Sequence, residues 1–201
     1  MGSAQEHPTV PTSLGLRLAR GGFTLIEILV VIVVLAILSA IAIPRIDVDK
    51  YKVQAGVRAI TSTLAYSQRL AVSLQQDVRV AFDSANSRLR IHEDDDNDGV
   101  MDPGERVTYT TLDNGVIFGR GITPAHAIGA NAFNFTRTQG GLPVVIFRRD
   151  GSASEAGGFY LNTVRAVAAG SSNKTRAAEI VRASGRVVWY TYGTGACTRG
   201  D

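Results

Sequence analysis

The chain has 201 residues, a formal net charge of +3 and a single cysteine, Cys197. One cysteine excludes an internal disulfide, and we expect a free thiol at this position. The mild positive charge points to no particular partner, and beyond the N-terminal quarter the length leaves one domain of ordinary size.

The first predicted element is an apolar helix that follows a basic leader. Residues 1–22 are mostly polar, and a nearly unbroken apolar run covers 23–43. A run of about 20 apolar residues is long enough to span a bilayer. One acid, Glu27, interrupts the run, and an intramembrane carboxylate costs roughly 2.5 kcal/mol or more, so it needs a functional reason. Because positive flanks stay cytoplasmic, we predict that the C-terminal bulk lies on the other side of the membrane.

Two simpler explanations of this segment fit less well. A secretory signal places an apolar core of about 7–15 residues before its cleavage site. Here the candidate cleavage site, between Gly22 and Phe23, comes before the apolar run instead. A plain membrane anchor explains neither Glu27 nor this junction.

The segment resembles the class III signal of type IV pilins and type II secretion pseudopilins. The resemblance rests on Gly22, on Phe23 directly after it, on Glu27 at the fifth position from Phe23, and on Pro44 further along. It implies cleavage after Gly22 by a membrane prepilin peptidase, N-methylation of Phe23, and assembly with other pilins or pseudopilins. It also implies that Glu27 pairs with the new N-terminal amine of a neighbouring subunit. Pro44 removes a backbone donor, so we expect the helix to loosen there.

Beyond the apolar run, the helix is predicted to continue as an amphipathic element to residue 76. Apolar residues recur there at spacings of three and four, which places them on one face of a helix. They are Val53, Val57, Ile60, Leu64 and Ala71. We expect one long helix over 23–76, transmembrane over 23–43, whose second half packs on a globular head.

The remaining residues, 77–201, alternate apolar and polar side chains between turn signals, a pattern typical of β-strands. The predicted strands are 78–82, 88–92, 106–111, 116–118, 132–136, 144–147, 158–161, 178–183 and 187–192. Stretches 119–131 and 165–175 are predicted loops. The predicted fold class is therefore α+β, with a long N-terminal α-helix packed on an antiparallel β-sheet domain.

An acidic segment between the second and third predicted strands has the ligand order of a calcium loop. Residues 94–105 match the pattern D-x-(D/N)-x-(D/N)-G-x5-E without a mismatch. Ca²⁺ takes about six to eight oxygen ligands, and this spacing can supply them around a sharp turn at Gly99. The candidate ligands are Asp94, Asp96, Asp98, the Val100 carbonyl, Asp102 through a water molecule, and Glu105.

The segments on either side of this loop are predicted strands rather than helices. The calcium would therefore sit at the tip of a hairpin, where it could stiffen the hairpin but would not open a groove as sensor EF-hands do. A solvated acidic hairpin tip without metal is the alternative explanation.

The C-terminal part resembles the family of H-type pseudopilins and FimT-like minor pilins. The resemblance rests on the order of four short motifs at 145–152, 158–161, 178–181 and 184–188. It implies a minor subunit of a type II secretion pseudopilus or a type IV pilus. Such a subunit is anchored in the inner membrane with its C-terminal domain in the periplasm before it is assembled.

A DNA-binding minor pilin for DNA uptake is the alternative function. The family's DNA-binding tail carries a Gly-Arg-x-Arg pattern, and here Val188 stands where the second arginine would be. Arg182 and Arg186 are the candidate DNA contacts, since the aromatic residues that follow could stack on single strands. The alternation over 187–192 is nevertheless more typical of a sheet strand.

The sequence predicts no enzymatic activity. The histidines are scattered, the cysteine is near the end of the chain, and neither a nucleophile elbow nor a zinc-ligand spacing occurs. We therefore expect the chain to be a substrate of processing enzymes rather than a catalyst.

Overall fold

A computed structural model of the chain describes residues 22–42, 47–193 and 196–200. It falls into two units, Met1–Ile46 and Asp47–Asp201. The predicted leader, apart from Gly22, lies outside the described residues, and so does Pro44. The predictions made for those positions are therefore untested by the structure.

The first unit contains helix α1 (Leu25–Ala42), which has 18 residues. Thr24 precedes it, and the Thr24 Oγ1 accepts a hydrogen bond of 3.2 Å from the backbone N–H of Glu27. This bond satisfies one of the donors that lack a partner at the start of a helix. Among the described residues, no helix is both long enough and apolar enough to cross a membrane.

The second unit begins with helix α2 (Val48–Leu74), and Asp47 caps it. The Asp47 carboxylate accepts a hydrogen bond of 3.1 Å from the backbone N–H of Lys50. The sequence predicted one helix over 23–76, whereas the structure has two. The physical reason is that Asp47 leaves the helical conformation, with ψ at 81°, in order to cap α2.

One face of α2 is buried, as the spacing of its apolar residues predicts. All five residues of the predicted stripe belong to the core of the second unit. These residues pack against side chains from two β-sheets, so the helix covers both of them. The prediction of an amphipathic helix packed on an antiparallel β domain is confirmed.

The described part of the second unit holds ten strands and a short helix, α3 (Val164–Ala168). The strands are β1 (Asp77–Asp83), β2 (Arg88–Asp94), β3 (Val107–Thr111), β4 (Val116–Phe118), β5 (Thr138–Gln139), β6 (Leu142–Phe147), β7 (Gly157–Thr163), β8 (Arg176–Ile180), β9 (Val187–Gly193) and β10 (Ala196–Arg199). They form two antiparallel sheets, in the orders β3-β2-β1-β6-β5 and β10-β9-β8-β7-β4.

The strand predicted over 132–136 is wrong. In this segment only Phe133 forms a β-bridge, and its partner is Phe159 on β7. The side chain of Asn134 accepts a hydrogen bond of 2.6 Å from the Gly158 N–H, so a side chain takes a donor that a regular ladder would pair with backbone. The alternation of apolar and polar residues in the sequence does not show whether a polar side chain will replace a backbone acceptor of the strand ladder.

The elements that the sequence missed are short or displaced. Strands β5 and β10 were not predicted, and α3 lies in a predicted loop, where the Thr163 Oγ1 caps it through the Ala166 N–H. Strand β8 begins two residues earlier than the predicted 178–183, because Arg176 and Ala177 pair with Thr191 and Tyr190 of β9, and it ends at Ile180.

An aromatic cluster fills the space between the two sheets. The Phe82 ring on β1 lies 5.0 Å from that of Phe159 on β7, and three more phenylalanine rings surround them. Offset and edge-on packing of this kind stabilises a core beyond its buried area. Since the buried hydrophobic residues found among the described positions all lie between 53 and 180, the second unit has a core of its own. We therefore expect fragment 47–201 to fold by itself.

Candidate functional site

The residues predicted for processing and assembly lie at the start of the described chain. Gly22 and Phe23 precede α1, and both are exposed. Glu27 lies in the first turn of α1, three residues after Thr24. This spacing of a threonine and a glutamate is that of a capping box, a signal that the sequence contains and that fixes where α1 begins.

The predicted calcium loop connects β2 to β3. The structure brings three of its candidate ligands together, since carboxylate oxygens of Asp94, Asp96 and Asp98 lie within 4.8 Å of one another. Two backbone donors orient the exposed pair: the Asp98 N–H bonds Asp96 at 3.1 Å, and the Val100 N–H bonds Asp98 at 2.7 Å. The convergence of these three carboxylates fits the donor set of a hard divalent cation.

Asp94 differs from the two exposed aspartates because it is buried at the end of β2 and already has a cationic partner. Its Oδ2 lies 2.5 Å from the Nε of Arg79 on β1, and its side chain is 0% exposed. The guanidinium also explains the glycine at the turn. A Cβ on Gly99 would come within 2.9 Å of the Arg79 side chain, and the φ of Gly99 is +85°. A larger residue would be strained for both reasons.

Glu105 closes the loop from another direction. Its Oε2 lies 2.7 Å from the His92 Nε2 and accepts from the Asp102 N–H at 2.8 Å, while its Oε1 accepts from the Asp95 N–H at 3.0 Å. The bond from the Asp102 backbone and then that from His92 hold the pKa of Glu105 below its usual range. In this arrangement Glu105 binds protein donors, and its role as a metal ligand stays a prediction.

His92 and Gln139 support Glu105, and the sequence analysis missed both roles. The Gln139 Nε2 donates to the His92 Nδ1 at 3.0 Å and to the Gly99 carbonyl at 2.9 Å. Since the His92 Nδ1 accepts a hydrogen bond, its Nε2 carries the proton and donates to Glu105. His92 is fully buried. No sequence signal links it to Gln139, which lies 47 residues away on β5.

Asp102 lies close to the other loop acids, and it has no ion pair with any described cation. Desolvation raises the pKa of Asp102, and the negative charges of Asp98 and Glu105 raise it further. This repulsion is what a bound dication would relieve.

The two candidate DNA contacts lie on the turn between β8 and β9. Arg182 and Arg186 are both exposed. The alternative that 187–192 is a strand is confirmed, since β9 covers Val187–Gly193 and pairs with β8. Two of its aromatic side chains form hydrogen bonds within the protein. The Trp189 Nε1 donates to the Thr61 Oγ1 on α2 at 2.6 Å, and the Tyr190 hydroxyl donates to Glu179 at 3.2 Å. Both rings are therefore held by contacts within the protein and are only partly exposed.

The comparisons with known proteins concern mainly the N-terminal segment. Residues 17–43 match a family model described as the prokaryotic N-terminal methylation motif. This is a pilin-type N-terminal segment. The prediction that the chain begins like type IV pilins and pseudopilins is thereby confirmed, and the matched residues include Gly22, Phe23 and Glu27 of the pilin-type segment.

Other comparisons add less. No curated protein matches the chain. A solved structure, that of the minor pseudopilin EpsH from the Type 2 Secretion System of Vibrio cholerae, is similar with 14% sequence identity and a TM-score of 0.39. The match covers 72% of this chain and 94% of that chain.

The substitution Glu105→Gln tests the closure of the acidic loop. A carboxylate with a lowered folded pKa stabilises the fold above its unfolded pKa of about 4.3, and this contribution is lost as pH falls through the folded value. We expect the variant fragment 47–201, with chelator present, to melt at a lower temperature at pH 7 and to lose less stability on acidification. The measurement is the melting temperature by circular dichroism between pH 3 and 7.

Glu93→Gln is the matched control, because the Glu93 carboxylate faces the exposed Arg106 at 3.6 Å and is not the carboxylate that the His92 ring bonds. Equal pH profiles for the wild type and for Glu105→Gln would contradict the closing role of Glu105.

Proposed function

We propose that the chain is a minor pilin or pseudopilin of the H-type, a structural subunit of a type II secretion pseudopilus or a type IV pilus. The observation that carries this proposal is the methylation motif at 17–43. Within this motif, the Gly22-Phe23 junction comes shortly before an apolar helix, and the first turn of that helix contains Glu27. In this role prepilin peptidase cleaves after Gly22, Phe23 is N-methylated, and the chain is a substrate rather than an enzyme.

The exposed apolar surface of α1 supports membrane insertion followed by assembly. Large apolar side chains along the helix are between about half and four-fifths exposed, from Ile28 at 47% to Leu25 at 83%. Leaving such surface in water costs roughly 25 cal/mol for each Å². We propose that segment 23–43 spans the inner membrane before assembly, with the β domain in the periplasm, and that other pilins or pseudopilins cover it afterwards.

Glu27 then has a specific role. In surroundings of low dielectric a lone carboxylate is costly, and a cation from a neighbouring subunit offsets that cost. The new amine at Phe23 of that neighbour is the partner that the pilin-type segment provides. Because desolvation cancels much of the attraction in a buried ion pair, the pair would set the register between subunits more than it adds stability.

The substitution Glu27→Ala separates processing from assembly. We expect the variant to be cleaved after Gly22 as the wild type is, because the junction is intact, but to enter fibres poorly. Immunoblots of cell fractions would give the processed size, and the sheared-fibre fraction would give incorporation. Ser39→Ala in the same helix is the control. Normal incorporation of Glu27→Ala would count against the assembly role of Glu27.

A calcium ion at the acidic loop is a second part of the proposal. Asp94, Asp96 and Asp98 would hold the ion, joined by the Val100 carbonyl and, through water, by Asp102. The convergence of three carboxylates and the raised pKa of Asp102 support it. The ion would supply positive charge that balances this cluster and stiffens the β2–β3 connection. Glu105 would complete the ligand set only if its Oε2 released the His92 Nε2 and bound the metal instead.

Calcium is expected to raise the melting temperature of fragment 47–201. At a free concentration about 100 times the dissociation constant, binding adds about 2.7 kcal/mol, which corresponds to roughly 5 °C or more for a fragment of this size. Asp96→Asn should abolish the increase, whereas Asp113→Asn, at an exposed acid outside the loop, should preserve it. Identical melting curves of the wild type with calcium and with chelator would rule out the site.

DNA binding is the alternative function, and the exposure of Arg182 and Arg186 on one turn is the observation that favours it. Contacts to phosphates would make the affinity fall with salt. If this function holds, fragment 47–201 should bind single-stranded DNA at low salt, and Arg182→Ala with Arg186→Ala should weaken binding about tenfold or more. Fluorescence anisotropy at two salt concentrations measures this, with Arg106→Ala as control. Absence of binding at low salt would leave the fibre subunit as the function.

A further inference from the structure

A cavity in the second unit is rich in arginine and lies where α2 meets β8, β9 and β10. Its volume is about 290 Å³, close to the lower limit of small-molecule pockets, which is about 300 Å³. Arg176, Arg186 and Arg199 all line it, together with Gln54 of α2 and Trp189 of β9. No acidic residue is among the described residues that line it.

Arg176 is the unusual member of this group because it is buried. Only 5% of the residue is exposed. One of its guanidinium nitrogens, Nη1, donates to the Thr175 carbonyl at 3.1 Å. Within the described part of the chain, no carboxylate lies within ion-pair distance of Arg176, Arg186 or Arg199. Buried charges in proteins are normally paired, and the described acids provide no partner for this buried arginine, which lines the cavity.

Further physical features agree with this conclusion. Burial lowers the pKa of the Arg176 guanidinium, because desolvation opposes its charge. A bound anion would offset that desolvation. The position of Arg176 is also well determined, since its backbone pairs with Thr191 of β9 and with Leu161 of β7. The charge is therefore held by the middle of a sheet and not by a loop.

We propose that this cavity binds a small oxyanion of the phosphate or carboxylate type, held by Arg176, Arg186 and Arg199. Guanidinium groups present planar pairs of donors that match the oxygens of such anions. The Gln54 side chain can add a neutral donor, and Trp189 forms part of the wall. The volume suits one small anion, whereas the backbone of a nucleic acid would need an open groove of the kind that single-strand binding uses.

The experiment has to distinguish between two oxyanions that fit the cavity. One is a free anion, for which inorganic phosphate is the probe. The other is a carboxylate of the chain itself, since Asp201 follows Gly200 in the sequence and Gly200 lines the cavity. The variant Asp201→Asn removes that acid and leaves the three arginines unchanged.

The experiment is a phosphate titration of the full chain in an uncharged detergent, with sodium chloride of equal ionic strength as the reference. Trp189 is the only tryptophan of the chain and lines the cavity, so its fluorescence reports occupancy directly. We expect a saturable change with phosphate that chloride does not produce. The ³¹P linewidth of phosphate provides a second measurement that does not depend on tryptophan.

The variants decide whether the response arises from this cavity. Arg186→Gln and Arg199→Gln change exposed side chains and should fold normally, and each should weaken phosphate binding about tenfold. Arg176→Gln should abolish binding, once circular dichroism shows that it is folded. Arg182→Gln is the matched control, because Arg182 is exposed nearby but does not line the cavity.

Each outcome decides the proposal. Saturable binding in the wild type that Arg186→Gln weakens and Arg182→Gln preserves supports a site for a free anion. Binding that becomes measurable only in Asp201→Asn supports the same site with an internal carboxylate as its occupant. Absence of a phosphate-specific response in both proteins overturns the proposal, and so does equal weakening by Arg186→Gln and Arg182→Gln. None of these outcomes bears on the methylation motif.

Discussion

The packing of α2 against two sheets at once is the constraint on which the second unit depends. The inner faces of β1 and β7 meet through Phe82 and Phe159, and the stripe of α2 covers the side that these rings leave open. Without the helix, apolar residues of both sheets would face water. The hydrogen bond from Trp189 to Thr61 shows that the same contact also fixes β9 against α2. The arginine-lined cavity, which Gln54 and Val57 of α2 help to line, therefore keeps its shape only while α2 is docked.

Local patterns predicted the parts of this structure that local physics determines. The stripe of α2, strand β4 and the convergence of Asp94, Asp96 and Asp98 follow from spacing along the chain, because neighbouring residues define them. The strand predicted over 132–136 failed because Asn134 bonds the backbone of β7 through its side chain. The support of Glu105 by His92 and Gln139 could not be predicted, since β5 lies at the edge of the sheet opposite β3 and reaches the loop only through side-chain hydrogen bonds of Gln139 to His92 and Gly99. The same holds for Arg176, whose burial depends on β7 and β9.

Three charged residues of the described chain illustrate different ways in which a charge is balanced. Glu27 lies on an apolar helix, and its proposed partner belongs to another subunit. Asp94 is buried, and Arg79 of the neighbouring strand pairs with it. Arg176 is also buried, and the described residues provide it with no acid. Because an uncompensated buried charge costs several kcal/mol, we propose external partners for Glu27 and Arg176. Asp94 already has Arg79, and the proposed calcium ion would add a second cation beside it.

The cap at Asp47 has a mechanical consequence. A helix with its own N-terminal hydrogen bonds does not need the preceding segment to hold its first turn, and the core cluster found among the described residues begins at Val53. In the fibre subunit that we propose, a tensile load along the backbone would enter the second unit at the capped first turn of α2, whose apolar stripe is packed in the core.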